Sequence, residues 1–412
     1  MHTNKIYRKA LFLCAPLLLL SACVSAPSYQ TQVQSPRVDT ASSAPGTIGE
    51  NAQFAQMQGP TMQEYPESRI AILLPLSGPN KDLGNAMLNA AQMALFEVGY
   101  PKLKLIPRDT QGTAEGARAA AKSATQEGAQ LILGPVFASS VKAAAPIARR
   151  RNVNMIAFST DWSLAEDNTF IMGFLPFDQI DRVTRYISQK NFRDIGIIAP
   201  DTGYGQTVSQ EFQKAAMQNG IMISNNMSFP ARTANLAPAI EQFSSQSSPN
   251  MQAVFMPTGG EQAQAIANLL SHNNLPPRKV TRIGTGLLDD PALAKEKNLE
   301  GALFAAPAPQ ARQKYEQRYT QTFGQPPLRL STLSYDAVAL AATLARRGYD
   351  LNLGGPAFDR NALTNANGFL GIDGIFRFRP DGIAQRGLAV LSYRNGQITI
   401  VDKAPTTFQG LQ

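Results

Sequence analysis

Hydroxyl residues beside glycines recur just after apolar runs: Ser77-Gly78, Gly134 through Ser139-Ser140, Ser159-Thr160, Asp201 through Gly205, Thr258-Gly259-Gly260 and Gly284-Thr285-Gly286. Glycine lets backbone come close to a ligand, and hydroxyls beside the free amides of a helix N-terminus suit a carboxylate or another small anion. The same residue types cap helices and make turns, so each junction carries both readings. The side chains placed to touch a ligand are Ser77, Ser139, Ser140, Ser159, Thr160, Tyr204 and Thr285, with Phe137 and Trp162 as further aromatic candidates.

Other chemistry is thin. The cysteines are Cys14 and Cys23, and the histidines are His2 and His272, too few for a thiol site, a Ser-His-Asp triad in the usual surroundings or a histidine-rich metal site. Gly284-x-Gly286 lacks the third glycine of a dinucleotide fingerprint, and Asp289-Asp290-Pro291 reads as a helix start with no third metal ligand. No catalytic residue, metal or cofactor is expected, and the chain is not expected to be an enzyme.

The loops that carry the hydroxyls need rigid elements beneath them. Apolar runs at 69–76, 103–109, 130–135, 153–159, 194–201, 221–229, 252–257, 280–286 and 301–307 read as strands, mostly covered on both faces. Between them, 84–98, 205–219 and 331–347 show helical spacing; Met87, Leu88, Ala91, Leu95 and Val98 make one apolar stripe. Strands alternating with helices predict βαβ units and parallel sheets. About 340 residues exceed one such core, so two lobes are expected. The end differs: "GIFRFRPDG" and "RGLAVLSYRNGQITIV" predict antiparallel strands turning at Pro380-Asp381-Gly382 and Asn395-Gly396. Pro146 is expected to kink or shorten the helix that Ser139 would cap.

The first 22 residues read as a secretion signal: Lys5, Arg8 and Lys9 precede the apolar "LFLCAPLLLL", too short to span a membrane. Leu20-Ser21-Ala22-Cys23 resembles a lipobox, with Cys23 the residue to be acylated, and Val24 after it resembles outer-membrane sorting. Residues 23–68, rich in Ser, Pro, Gln, Thr and Ala, read as a flexible linker with a span of roughly 35–40 Å. Of 38 basic residues, three fall in the signal, leaving 35 against 30 acidic ones and a net charge of +5. The clusters Arg149-Arg150-Arg151 and Arg377/Arg379/Arg386 read as solvated faces, with no nucleic-acid partner expected.

Longer stretches narrow this. "IAILLPLSGPNKDLGNAMLNAAQMALFE", "LIPRDTQGTAEGARAAAKSATQEGAQLILGPVFASSV", "IAFST" and "DTGYGQ" resemble the type I periplasmic-binding fold, in the branch of leucine/isoleucine/valine-binding proteins and of outer-membrane lipoprotein activators of penicillin-binding proteins. "IGTGLLDDPAL", "LSYDAVALAA" and "NGFLGIDGIFRFRPDG" are closer to the activators. The resemblance implies two Rossmann-like lobes on a three-segment hinge: lobe 1 from 69–176 and 307–368, lobe 2 from 177–306 and 369–403, then a tail at 404–412. It implies that Ser139, Ser140, Ser159, Thr160 and Tyr204 stand where amino-acid-binding relatives hold a carboxylate. Gly286 stands near the position where those relatives carry an acidic residue for the ammonium group, with Asp289 the nearest substitute. The helical domain that precedes this fold in enterobacterial activators is replaced here by the linker. The implied function is a non-enzymatic lipoprotein on the periplasmic face of the outer membrane that stimulates a bifunctional penicillin-binding protein. The alternative is a substrate-binding lipoprotein of an ABC importer for amino acids or similar small polar solutes.

Overall fold

The computed structural model describes residues 46–47, 66–231 and 236–409. The expected signal 1–22, Cys23 and most of the linker lie outside the described residues. One lobe opens with β1 (Gly46–Thr47), β2 (Ser68–Leu74), α1 (Lys81–Val98), β3 (Leu103–Asp109), α2 (Ala114–Gln126), β4 (Leu131–Leu133), α3 (Ala138–Arg150), β5 (Asn154–Ala157) and β6 (Thr169–Ile171). A parallel sheet runs β3-β2-β4-β5-β6. The interior strand β2 shows why the run "IAILL" is apolar without a break. Ile70, Ile72 and Leu74 join the core under α1, while Ala71 and Leu73 join the core under α2 and α3. Full burial of each large aliphatic side chain is worth about 1.5–3 kcal/mol.

The chain then crosses to the second lobe through α4 (Pro176–Gln189), β7 (Asp194–Pro200), α5 (Gly203–Gln218), β8 (Met222–Phe229), α6 (Ala237–Ser245), β9 (Ala253–Phe255), α7 (Gly260–His272), β10 (Thr281–Gly284) and β11 (Leu303–Ala306). It returns to lobe 1 for α8 (Pro309–Phe323), α9 (Ser331–Asp350), α10 (Arg360–Leu363), β12 (Phe369–Gly371), β13 (Gly374–Phe378) and β14 (Ala384–Arg386). Finally β15 (Ala389–Arg394) and β16 (Gln397–Asp402) close the lobe 2 sheet in the order β16-β15-β11-β10-β9-β7-β8. Its last two strands are antiparallel, joined at Asn395-Gly396, where both residues have positive φ as a tight hairpin requires.

The crossings lie at Met172–Leu175, Pro307–Ala308 and Gly387–Leu388. The third corrects the expected boundary at 369. Residues 369–386 pack in lobe 1, because Phe369, Phe376 and Phe378 enter its core, with Phe378 5.3 Å from Phe170, ring to ring. A turn signal marks a hairpin but not the sheet it joins. The tail 404–412 also differs from a loose end where it is described: Phe408 is buried, with the Arg377 guanidinium of β13 4.5 Å from its ring. Within the linker, Gly46 and Thr47 pair in parallel with Phe369 and Leu370.

Helix α9 is buried along nearly its whole length, as a central helix of lobe 1 must be. Pro146 lies inside α3 without ending it. Helices begin hard against the strand exits: a Cβ on Gly84 would stand 2.1 Å from the Pro75 carbonyl oxygen, and one on Gly205 2.0 Å from that of Pro200.

Candidate functional site

The strand exits place the hydroxyl loops as expected, and hydrogen bonds decide what each hydroxyl can do. After β2, the exposed Ser77 donates its hydroxyl to Asp109 Oδ2 at 2.6 Å, and Asp109 Oδ1 accepts the amides of Leu76, Ser77 and Gln111. Partial burial pushes Asp109 up, but the bonds from Ser77, Gln111 and Leu76 together hold it below the usual carboxylate range. Ser77 and Asp109 thus tie two strand exits together.

After β4, the reading of Ser139 as a helix cap is corrected. Phe137 occupies the cap position of α3, and Ser139 is an exposed residue of the first turn. Ser140 is fully buried and donates to the Thr113 carbonyl at 3.2 Å, fastening α3 to the start of α2. After β5, Ser159 is buried and accepts the Asp161 amide at 3.1 Å, whereas Thr160 is exposed. Trp162 packs edge-on against Phe177 at 4.7 Å. It reinforces the first crossing.

In lobe 2, the Tyr204 hydroxyl lies 3.0 Å from Thr285 Oγ1, joining the exits of β7 and β10. Burial, only partly offset by that hydrogen bond, raises the Tyr204 phenol above its ordinary value. Thr285 is buried and caps the 3-10 turn Gly286–Leu288. Of the seven candidates, Ser139 and Thr160 present hydroxyls to solvent without a hydrogen bond among the described residues. Ser77, Ser140, Ser159, Tyr204 and Thr285 are held by partners within their own lobe.

Charged groups fill the space between the lobes, and their sequence separation hides them from a local reading. Asp289, after β10, does not face the hydroxyl loops; its carboxylate accepts from both terminal nitrogens of Arg312 in the first turn of α8. The pair is nearly dry, the side chains 9% and 6% exposed. Burial alone would lower the Arg312 pKa, but Asp289 outweighs it and raises it. Arg329, before α9, lies 3.9 Å from Asp289 and bonds both oxygens of Asp373, at 2.8 and 3.2 Å, while stacking 4.2 Å above Phe174.

Arg386 overturns its reading as part of a solvated face. It is buried, donates from Nη2 to the Met172 carbonyl at 2.9 Å and lies over Phe174. Its Nε and Nη1 find no hydrogen-bond partner among the described residues. Asp178 at the start of α4 accepts the Arg386 amide at 2.8 Å, and burial pushes Asp178 up to about 6. Gly173, Phe174, Asp178, Pro307, Arg386 and Leu388 line a crevice of about 10 Å³ where all three crossings meet. It is far smaller than the 300–1,000 Å³ usual for a ligand pocket, with room for about one water. Gly286 has no side chain to offer an ammonium group, and its amide is held by Gln179 at 2.7 Å. His272, at the end of α7, bonds only the carbonyl of Asn268 and has no acid or nucleophile in hydrogen-bond contact among the described residues.

A family model described as periplasmic binding protein matches residues 67–397. A putative branched-chain amino acid ABC transporter structure from Rhodospirillum rubrum aligns with a TM-score of 0.71 at 20% identity, over 81% of this chain and all of its own. The branched-chain amino acid substrate-binding protein LivJ from Streptococcus pneumoniae, in complex with isoleucine, aligns at 0.59 and 18% identity, over 82% of this chain and all of its own. A solute-binding protein from Rhodopseudomonas palustris, in complex with 3,4-dihydroxybenzoic acid, aligns at 0.60 and 16%, over 82% of this chain and 96% of its own. An uncharacterized protein of Rickettsia prowazekii is 24% identical over 182 residues, 44% of this chain; the chain spans about half (48%) of that relative. With two parallel-sheet lobes, three crossings and a match over most of its length, the chain belongs to the periplasmic binding protein family.

Proposed function

We propose that this is a non-enzymatic lipoprotein, anchored through Cys23 to the periplasmic face of the outer membrane, that acts on a bifunctional penicillin-binding protein rather than carrying amino acids. The observation behind this choice is the orientation of Asp289. An α-amino acid brings an ammonium group, and desolvating it without a carboxylate partner costs several kcal/mol. At the β10 exit Gly286 offers no carboxylate, and Asp289 is spent on Arg312. The lipobox and the activator-like stretches supply the rest of the reading. The experiment is co-purification of the chain with a bifunctional penicillin-binding protein, followed by glycan polymerisation and crosslinking assays. Binding with a raised rate is expected; no binding and no stimulation would overturn the proposal.

One observation favours a second reading, a substrate-binding lipoprotein of an ABC importer. Ser139 and Thr160 keep exposed hydroxyls at neighbouring strand exits of lobe 1. A thermal-denaturation screen against small polar solutes checks it. A ligand at 100 times its dissociation constant adds about 2.7 kcal/mol of stability.

A further inference from the structure

We propose that the two lobes are fastened to each other from within, so that the hinge is static without any ligand. This stands apart from the choice of function above. Two ties at different places carry it. The first is the ion pair between Asp289 of lobe 2 and Arg312 of lobe 1, buried from water on both sides and backed by Arg329, which links Asp289 to Asp373 of lobe 1. Opening the lobes would pull these charges apart. Each would then have to be rehydrated, or remain buried with its partner gone, the costly case for an ion pair. A ligand-driven clamp needs the opposite design, an open state close in energy to the closed one until the ligand adds its contacts.

The second tie is the end of the chain. After β16 in lobe 2, the backbone turns back over the third crossing; a Cβ on Gly387 would lie 3.0 Å from the ring of Pro405. It then seats Phe408 in lobe 1, where the ring is buried beneath the Arg377 guanidinium and in reach of Gly368. The strap therefore leaves lobe 2 and ends in lobe 1. Rotation about the three crossings has to be taken up in the short run 403–407 or by extracting an aromatic ring from its seat.

Spin labels measure this directly. In the full chain with Cys14 and Cys23 replaced by serine, Lys122→Cys on α2 and Lys214→Cys on α5 place one exposed label on each lobe. Pulsed electron–electron resonance should give one narrow distance without ligand, unchanged by millimolar leucine or isoleucine. Asp289→Asn combined with Phe408→Ala should add a population at longer distance. A broad or two-peaked distribution in the otherwise unaltered chain, or a shift on adding leucine or isoleucine, would overturn the proposal. So would an unchanged distribution in the double variant when its circular dichroism is native. If the double variant does not fold, the ligand-free distribution of the parent decides.

Discussion

Asp289 in the loop after β10 and Arg312 in the first turn of α8 form a two-pronged ion pair across the boundary between the lobes, with Arg312 Nη2 3.1 Å from Asp289 Oδ1. The loop is itself pinned, because the Tyr393 hydroxyl of β15 donates to the Leu288 carbonyl. Twenty-three residues of sequence separate the two charges, and α8 begins just past the second crossing. The hinge thus brings them together.

Removing one member leaves the other buried with only a more distant partner, Arg329 at 3.9 Å from Asp289 or Glu316 at 3.6 Å from Arg312. Asp289→Asn or Arg312→Met should lower unfolding free energy by about 3–5 kcal/mol, read from urea denaturation. Replacing both, as Asp289→Leu with Arg312→Met, should recover most of that loss. A double variant as unstable as the singles would show that the pair is not the cause.

Asp336 and Asp373 are both fully buried in lobe 1 and should respond oppositely to pH. Asp336 accepts the Ile372 amide at 2.8 Å, and burial, reinforced by the Asp373 charge, pushes it up to about 7. The folded chain then binds more protons than the unfolded chain between about pH 4 and 7, so this group's contribution to stability falls as pH rises through that window. Burial also pushes Asp373 up, but Arg329 and Arg386 outweigh it and hold it low. Its contribution is present above about pH 4 and is lost in more acid solution. Asp336→Asn should flatten stability between pH 4 and 7 and raise it at pH 8 relative to the parent. Denaturation midpoints across that range are the measurement, and an unchanged slope would contradict the assignment.

Tyr204→Phe removes one side of the hydroxyl pair and leaves Thr285 Oγ1 buried with the Leu287 amide, at 3.4 Å, as its remaining contact. The expected cost is about 1–2 kcal/mol, with the fold retained. If a solute uses that hydroxyl pair, its affinity should fall in the same variant, which isothermal titration would register.

Gly205→Ala tests the close seating of α5 on its strand. The added methyl would overlap the Pro200 carbonyl, against which nothing flexible can yield. A loss of about 1–3 kcal/mol is expected, seen as a lower melting temperature. Gly203, two residues earlier and in open space, should accept alanine with little change.

Cys23→Ser should release the chain from membranes on fractionation. Continued membrane retention would contradict lipid anchoring at this residue.

Most strands were legible because buried parallel strands are apolar without a break, as in the run ending at Leu74, where two faces are covered. The strand Thr169–Ile171 is too short to show a pattern, and α8 is almost wholly polar, burying little beyond Arg312, Tyr315 and Tyr319. The loops of the candidate site were legible from glycine and hydroxyl residues, but their partners were not. Ser140 meets Thr113 and Tyr204 meets Thr285 only through the folded sheet. Arg386 reads as part of a solvated cluster with Arg377 and Arg379 until the fold supplies Phe174, Met172 and the nearby acids.

The third crossing at Gly387–Leu388 also sets the order in which the molecule can be completed. Lobe 1 waits for β12–β14 and lobe 2 for β15 and β16, so a chain emerging N-terminus first holds two unfinished lobes until residues 369–402 arrive. Until Ala389 appears, β11 remains an open edge. A ribosome-stalled or truncated product ending before Phe369 therefore lacks strands of both lobes, with no complete domain to survive on its own.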